Sequence, residues 1–209
     1  MQFLVIEGNI GAGKTTLSGM VAEEFNAKLV LEQFADNPFL PKFYENQERY
    51  SFPLELSFLA DRYRQIKKEI LNLDLFHSFL ISDYYFSKTA IFAQNTLQGN
   101  EYHLFRQIFD MVSESMPKPD LYVYLHADVN RLMKNIASRG RDYEKHITSE
   151  YLSKIEKGYF SFLKQKHPFP VLIIDINNID FVQNHDEYQL LKTAIFDQKY
   201  ELGINRLIL

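Results

Sequence analysis

Residues 6–16, IEGNIGAGKTT, hold the spacing G-x-x-x-x-G-K-T from Gly8 to Thr15, and no other stretch of the chain constrains its fold as tightly. Gly8, Gly11 and Gly13 let the backbone curl round a phosphate with no side chain in the way. Loop residues Gly8, Asn9, Ile10, Gly11, Ala12, Gly13, Lys14, Thr15 and Thr16 can then turn amides inward as donors. The pattern needs a strand before it and a helix after it, because the helix N-terminus adds its positive end to the same site. Lys14 is expected to reach the β- and γ-phosphates, and the Thr15 hydroxyl to ligate Mg²⁺. The competing reading is a glycine-rich turn that binds nothing; from average residue usage, such a match arises by chance about once in a hundred chains of this length. Its place between a strand-like and a helix-like segment favours the phosphate loop. ATP and Mg²⁺ are the expected cofactors.

Five short apolar runs stand out: Phe3–Ile6, Leu29–Leu31, Phe79–Ile81, Leu121–Leu125 and Val171–Ile176. They read as strands buried on both faces. Segments of helical period separate them: Thr15–Phe25, Pro53–Leu71, Tyr102–Met116, Val129–Ser138, Ser149–Gln165 and a piece around Tyr188–Phe196. In the long second segment Leu54, Phe58, Leu59, Ile66 and Ile70 fall near helical spacing. Strand–helix alternation implies an α/β sandwich with a largely parallel sheet.

With 209 residues and 46% hydrophobic content, one core suffices, and no Pro-, Gly- or Ser-rich linker divides the chain, so residues 1–209 read as one domain. A net charge of −4 argues against a nucleic-acid surface. The chain has no cysteine, which excludes a disulfide scaffold and a thiolate metal site. No stretch approaches a membrane span, and the N-terminus lacks the pattern of a signal peptide. A cytoplasmic protein is expected.

Ligands of such sheets bind beyond the carboxyl ends of the strands. The phosphate loop follows strand one, Glu32 closes the second strand in KLVLEQF, and Asp83 closes the third in FLISDYY. If Asp83 lies near Thr15 it can hold Mg²⁺ directly or through water, which leaves Glu32 free for other work. A nucleoside monophosphate acceptor would need several cations. A nucleoside arrives neutral, and its weakly acidic hydroxyl is helped by a carboxylate that takes the proton. Residues 43–65, FYENQERYSFPLELSFLADRYRQ, are aromatic and mixed in charge, with Tyr44, Tyr50, Phe52, Phe58 and Tyr63 as candidate ring walls or plain core. Glu55 and Arg62 lie seven apart on one helix face. They fit either a surface pair or a reader of a base edge, with Arg62 donating and Glu55 accepting. In SRGRDYEKH, Arg139 and Arg141 flank Gly140. They fit a mobile lid over 139–146 that closes on phosphate, or a basic helix end with a glycine cap.

Taken together, GNIGAGKT (8–15), Glu32, FYENQERYSF (43–52), the Glu55–Arg62 pair and RGRDYE (139–144) resemble the deoxynucleoside kinase family over most of the chain. The resemblance implies a P-loop kinase three-layer sandwich, with a five-stranded parallel sheet and helices on both faces, and a homodimer. It implies Glu32 as the base for the sugar 5′-hydroxyl, and Tyr44 with Glu144 on the 3′-hydroxyl. Glu55 and Arg62 fall at the base pocket, where Arg62 can also steady Glu32. Arg139 and Arg141 fall on the lid arginines, and Lys14, Glu32, Arg139 and Arg141 form the catalytic set.

Two departures stand out. Family members often carry Glu-Arg-Ser after strand three, where this chain has Asp83-Tyr84-Tyr85, so the arginine is missing; a base-reading aspartate is replaced near Lys88. The SDYYFSK pattern with Glu55 is most similar to the bacterial purine branch. An ionised Glu55 only accepts hydrogen bonds, which suits the adjacent N1–H and N2–H₂ of guanine better than the edge of adenine. The implied activity is ATP-dependent 5′-phosphorylation of a purine deoxynucleoside, deoxyguanosine before deoxyadenosine. The alternatives are a nucleoside monophosphate kinase and a non-enzymatic nucleotide-binding switch.

Overall fold

The computed structural model describes residues 1–33, 37–71 and 76–209, and within these omits the side chains of Ile70, Leu71 and Tyr143. Phe34, the last residue of KLVLEQF, and the apolar side chain expected at Ile70 therefore lie outside the described set. Six parallel strands form one sheet: β1 Phe3–Gly8, β2 Lys28–Val30, β3 Leu80–Ser82, β4 Leu121–His126, β5 Pro170–Asp175 and β6 Gly203–Ile208, in the order β2-β3-β1-β4-β5-β6. The chain order reverses at β1, which pairs with β3 on one side and β4 on the other. That reversal opens a crevice at the carboxyl end of β1, where the glycine loop begins.

Alternation along β1 shows how the sheet splits the core. Leu4 and Ile6 face one layer, packed with Leu17, Leu132 and Leu191 from helices α1 (Lys14–Phe25), α6 (Val129–Arg139) and α8 (His185–Phe196). Phe3 and Val5 face the other layer. There they meet Ile66, Ile91, Phe105 and Ile155 from α3 (Gln47–Leu71), α4 (Ser87–Thr96), α5 (Gly99–Ser113) and α7 (Ser149–Leu163). A third cluster of Leu40, Phe43, Leu54 and Phe58 joins the short α2 (Leu40–Glu45) to α3.

Several elements depart from the expectations. The sheet has six strands, not five. β6 adds an edge whose residues alternate half-buried and exposed, so it carries no continuous apolar run. β2 is the opposite edge, and Leu29 and Leu31 are each 37% exposed, unlike a strand buried on both faces. α3 begins at Gln47, six residues before Pro53. The Asn46 side chain caps it by accepting from the Arg49 amide at 3.1 Å, which explains the early start despite the internal proline. α4 gave no periodic signal because Ser87, Lys88 and Thr89 in its first turn are buried polar residues. Among the described residues no helix is long and apolar enough to cross a membrane.

Candidate active site

The glycine loop is shaped by contacts that only glycine allows. Gly11 and Gly13 have φ of 84° and 82°, and a Cβ would stand 2.9 Å from the Leu132 carbonyl oxygen or from the Phe181 ring. Gly13 precedes α1 with no capping side chain, so the amides of its first turn are left for an anion. Lys14 donates to the Asn9 carbonyl at 2.9 Å across the loop. Burial, and then the nearby charge of Lys88, lowers the Lys14 pKa to about 8. A bound triphosphate would raise it again.

One carboxylate ties the loop to the acceptor side. Asp83 Oδ2 accepts from the Thr15 hydroxyl at 2.5 Å, and Oδ1 accepts from the Glu32 amide at 2.8 Å. Thr15 and Asp83 are thus adjacent hard oxygen donors, the set that suits Mg²⁺. Glu32 lies two residues past the end of β2. Arg62 grips its Oε1 through two nitrogens at 2.5 and 2.9 Å, and Lys88 bonds its Oε2 at 2.5 Å. Burial alone would raise the Glu32 pKa, but Lys88 and Arg62 outweigh it and hold the carboxyl at about 2.

The same cleft gathers Lys14, Thr15, Glu32, Tyr44, Glu55, Arg62, Asp83, Arg139, Arg141 and Glu144. Of the aromatic candidates, Tyr44 and Phe58 line it; Tyr50, Phe52 and Tyr63 do not. Phe43, Phe92 and Tyr151 complete its walls, and were not singled out from the sequence because isolated aromatics look like core. The fork of Arg62 is taken by Glu32 and by the Thr89 hydroxyl at 2.9 Å.

Glu55 is buried, with Oε1 accepting from Thr96 at 2.8 Å and Oε2 lacking a partner among the described residues. Burial raises its pKa to about 7, against the pull of Thr96 and Arg62. Arg139 and Arg141 converge on Glu144: Arg139 reaches both its oxygens at 2.7 Å, and Arg141 lies at 3.4 Å. Gly140, with φ of 69°, closes α6, so a basic helix end and its glycine cap are also present.

Two residues of this neighbourhood escaped the sequence. Glu7, fully buried in β1, accepts from the Tyr85 amide and the Tyr159 hydroxyl, each at 2.9 Å, and desolvation raises its pKa. A carboxylate inside the run FLVIEG was the available signal. Lys88 could have been flagged as a lone cation in FSKTAIF. A second cleft lies on the other flank of the loop, where Gly11, Gly13, Thr16, Arg131, Asn135 and Phe181 meet.

This sheet, its glycine loop at the reversal point and a carboxylate opposite it define a P-loop phosphotransferase. A model of the family "Deoxynucleoside kinase" matches residues 4–199, so the chain belongs to the deoxynucleoside kinase family and is a kinase of that type. It is 35% identical over 197 residues to a deoxyguanosine kinase of Bacillus subtilis, covering 92% of this chain and 95% of that protein. It is 27% identical over 217 residues to a deoxyadenosine kinase of Lactobacillus acidophilus, covering 97% and 99%. A solved deoxyadenosine kinase from M. mycoides shares the fold, with a TM-score of 0.82 at 23% identity, over 94% of this chain and all of that one.

Proposed function

We propose that the protein transfers the γ-phosphoryl group of ATP to the 5′-hydroxyl of a purine deoxynucleoside. The observation that carries this reading is the buried, ionised Glu32 across a cleft from Lys14. In this reading the nucleoside lies between α2 and α3. Tyr44 and Glu144 hold its 3′-hydroxyl, and Phe58, Phe92 and Tyr151 wall its base. Glu32 takes the 5′-hydroxyl proton, while Lys14, Arg139 and Arg141 stabilise charge on the transferring group from a lid over 139–146. Mg²⁺ held by Thr15 and Asp83 would neutralise the triphosphate. The donor's base occupies the second cleft beside Phe181. Nucleoside fits the acceptor side better than monophosphate, because Arg62 on that side is held by Glu32 and Thr89. We further read the enzyme as one cytoplasmic domain and a homodimer. Leu104 and Met111 on α5, 48% and 72% exposed, favour self-association, and light scattering is expected to give twice the monomer mass.

The base preference rests on Glu55. With a pKa near 7, both its forms are populated at neutral pH. The ionised form accepts from N1–H and N2–H₂ of guanine, as the sequence suggests. The protonated form offers a donor beside an acceptor, which matches the amino group and N1 of adenine. The proton is on below pH 7 and off above it, so the ratio of kcat/KM for deoxyguanosine over deoxyadenosine should rise between pH 6 and 8, by at most about tenfold per pH unit. Glu55→Gln should abolish the slope and favour deoxyadenosine. A panel of nucleosides and their monophosphates at both pH values, read as ADP release, checks this. Turnover on monophosphates alone would overturn the proposed acceptor, and a flat ratio would overturn the role of Glu55. The similarity to both deoxyguanosine and deoxyadenosine kinases supports a purine acceptor.

A further inference from the structure

Both oxygens of Glu32 already accept from a cation. Arg62 occupies Oε1 and Lys88 occupies Oε2, and the three side chains are between 4% and 9% exposed. Oε2, with one bond against the two on Oε1, keeps a lone pair for a substrate hydroxyl, and losing a cation's contact would make Glu32 a stronger base. Arg62 is fixed by two bonds to Glu32, one to Thr89 and a stack on Phe58 at 4.7 Å. Lys88 is held differently. Among the described residues its ammonium bonds Glu32 alone, with the Phe92 ring 5.6 Å away, and it sits on a flexible four-carbon stem.

Its placement is costly without a task. Lys88 stands in the first turn of α4, where the helix dipole disfavours a cation, and it is 6% exposed. Its charge also bears on Lys14, so two ammonium groups face the space between the phosphate loop and Glu32. A triphosphate brings anionic oxygens into that space. They would compete with Glu32 for the more mobile of its two cations.

We propose that Lys88 is a transferable catalytic cation. With both substrates bound, its ammonium leaves Glu32 Oε2 for the oxygens of the transferring phosphoryl group, and the same movement makes Glu32 a stronger base. In the step, the bond from O5′ to the γ-phosphorus forms and the bond from that phosphorus to the bridging oxygen breaks. The electron pair of the broken bond stays on ADP, and the hydroxyl proton passes to Glu32 Oε2. Lys88, from α4, thereby does the work of the missing arginine after Asp83, although by sequence it falls where the family reads the base. The inference rests on the proposed 5′-hydroxyl phosphorylation.

Lys88→Met is expected to lower kcat about 10²-fold in steady-state assays while nucleoside KM changes less than threefold. Lys88→Arg should recover at least tenfold of that loss. Lys88→Gln, which keeps a hydrogen bond to Glu32 without the charge, should be nearly as slow as Met and serves if Met does not fold. Wild type should strongly prefer ATP over its γ-thio analogue, and the uncharged variants should lose most of that preference. Unchanged kcat, or a raised nucleoside KM at wild-type kcat, would overturn the role and return Lys88 to the base pocket. If wild type itself phosphorylates no nucleoside, the failure belongs to the proposed function.

Discussion

Glu32→Gln is expected to lower kcat by about 10²–10⁴ while leaving binding of the triphosphate nearly intact. The substitution keeps the shape of the side chain and its contact with Arg62, but removes the lone charge that can take a proton in the cleft centre. With its pKa at about 2, Glu32 stays ionised over the whole working range. It therefore sets no acid limb in the pH profile near neutrality. The sign for stability follows from the depressed value: the contribution is full above about pH 4.5 and is lost as pH falls towards 2. Gln also leaves Arg62 and Lys88 buried without their counter-charge, so the melting temperature should fall, by the equivalent of about 3–5 kcal/mol at most. Stopped-flow turnover beside a thermal melt and nucleotide titration separates the effects. Turnover within a few-fold of wild type would remove the role assigned to Glu32.

Asp83→Ala should cost about 10²-fold or more in kcat, because one carboxylate holds both halves of the site. Its Oδ2 fixes the Thr15 hydroxyl and its Oδ1 fixes the Glu32 backbone. Ala releases both and removes the carboxylate proposed to hold Mg²⁺. Asp83→Asn keeps an acceptor for the Glu32 amide but loses the charge. If Asp83 ligates Mg²⁺, Asn should remain slow and require several-fold more Mg²⁺ for half-maximal rate. Rates near wild type at ordinary Mg²⁺ would show that Asp83 only anchors the chain. Titrating Mg²⁺ against initial rate for both variants decides between these.

The legible part of this protein was local. Residues 8–15 carry their meaning in consecutive positions, and the family pattern named nearly every polar residue that now lines the cleft. Central strands β1 and β4 were legible because both faces of each are buried, which forces continuous apolar runs. Of the edges, β2 was legible as the run Leu29–Leu31 although it keeps only Val30 well buried, whereas β6 alternates and was not. The first turn of α4 hid behind buried polar residues, and one of them, Lys88, bonds Glu32.

What the sequence by itself determined was the phosphate loop, the parallel sheet and a carboxylate across from the loop. Each follows from backbone chemistry within a few residues or from a burial pattern along one strand. Only the tertiary structure decided that Lys88 meets Glu32. Lys88 lies 56 positions from Glu32 and nothing local marks their contact, whereas the pairing with Arg62, 30 positions away, was already implied by the family resemblance. Ion pairing depends on distance and on exclusion of water, and both are set when α3 and α4 pack against the sheet. The same burial moved Glu55 from a plain acceptor to a group that titrates near neutrality.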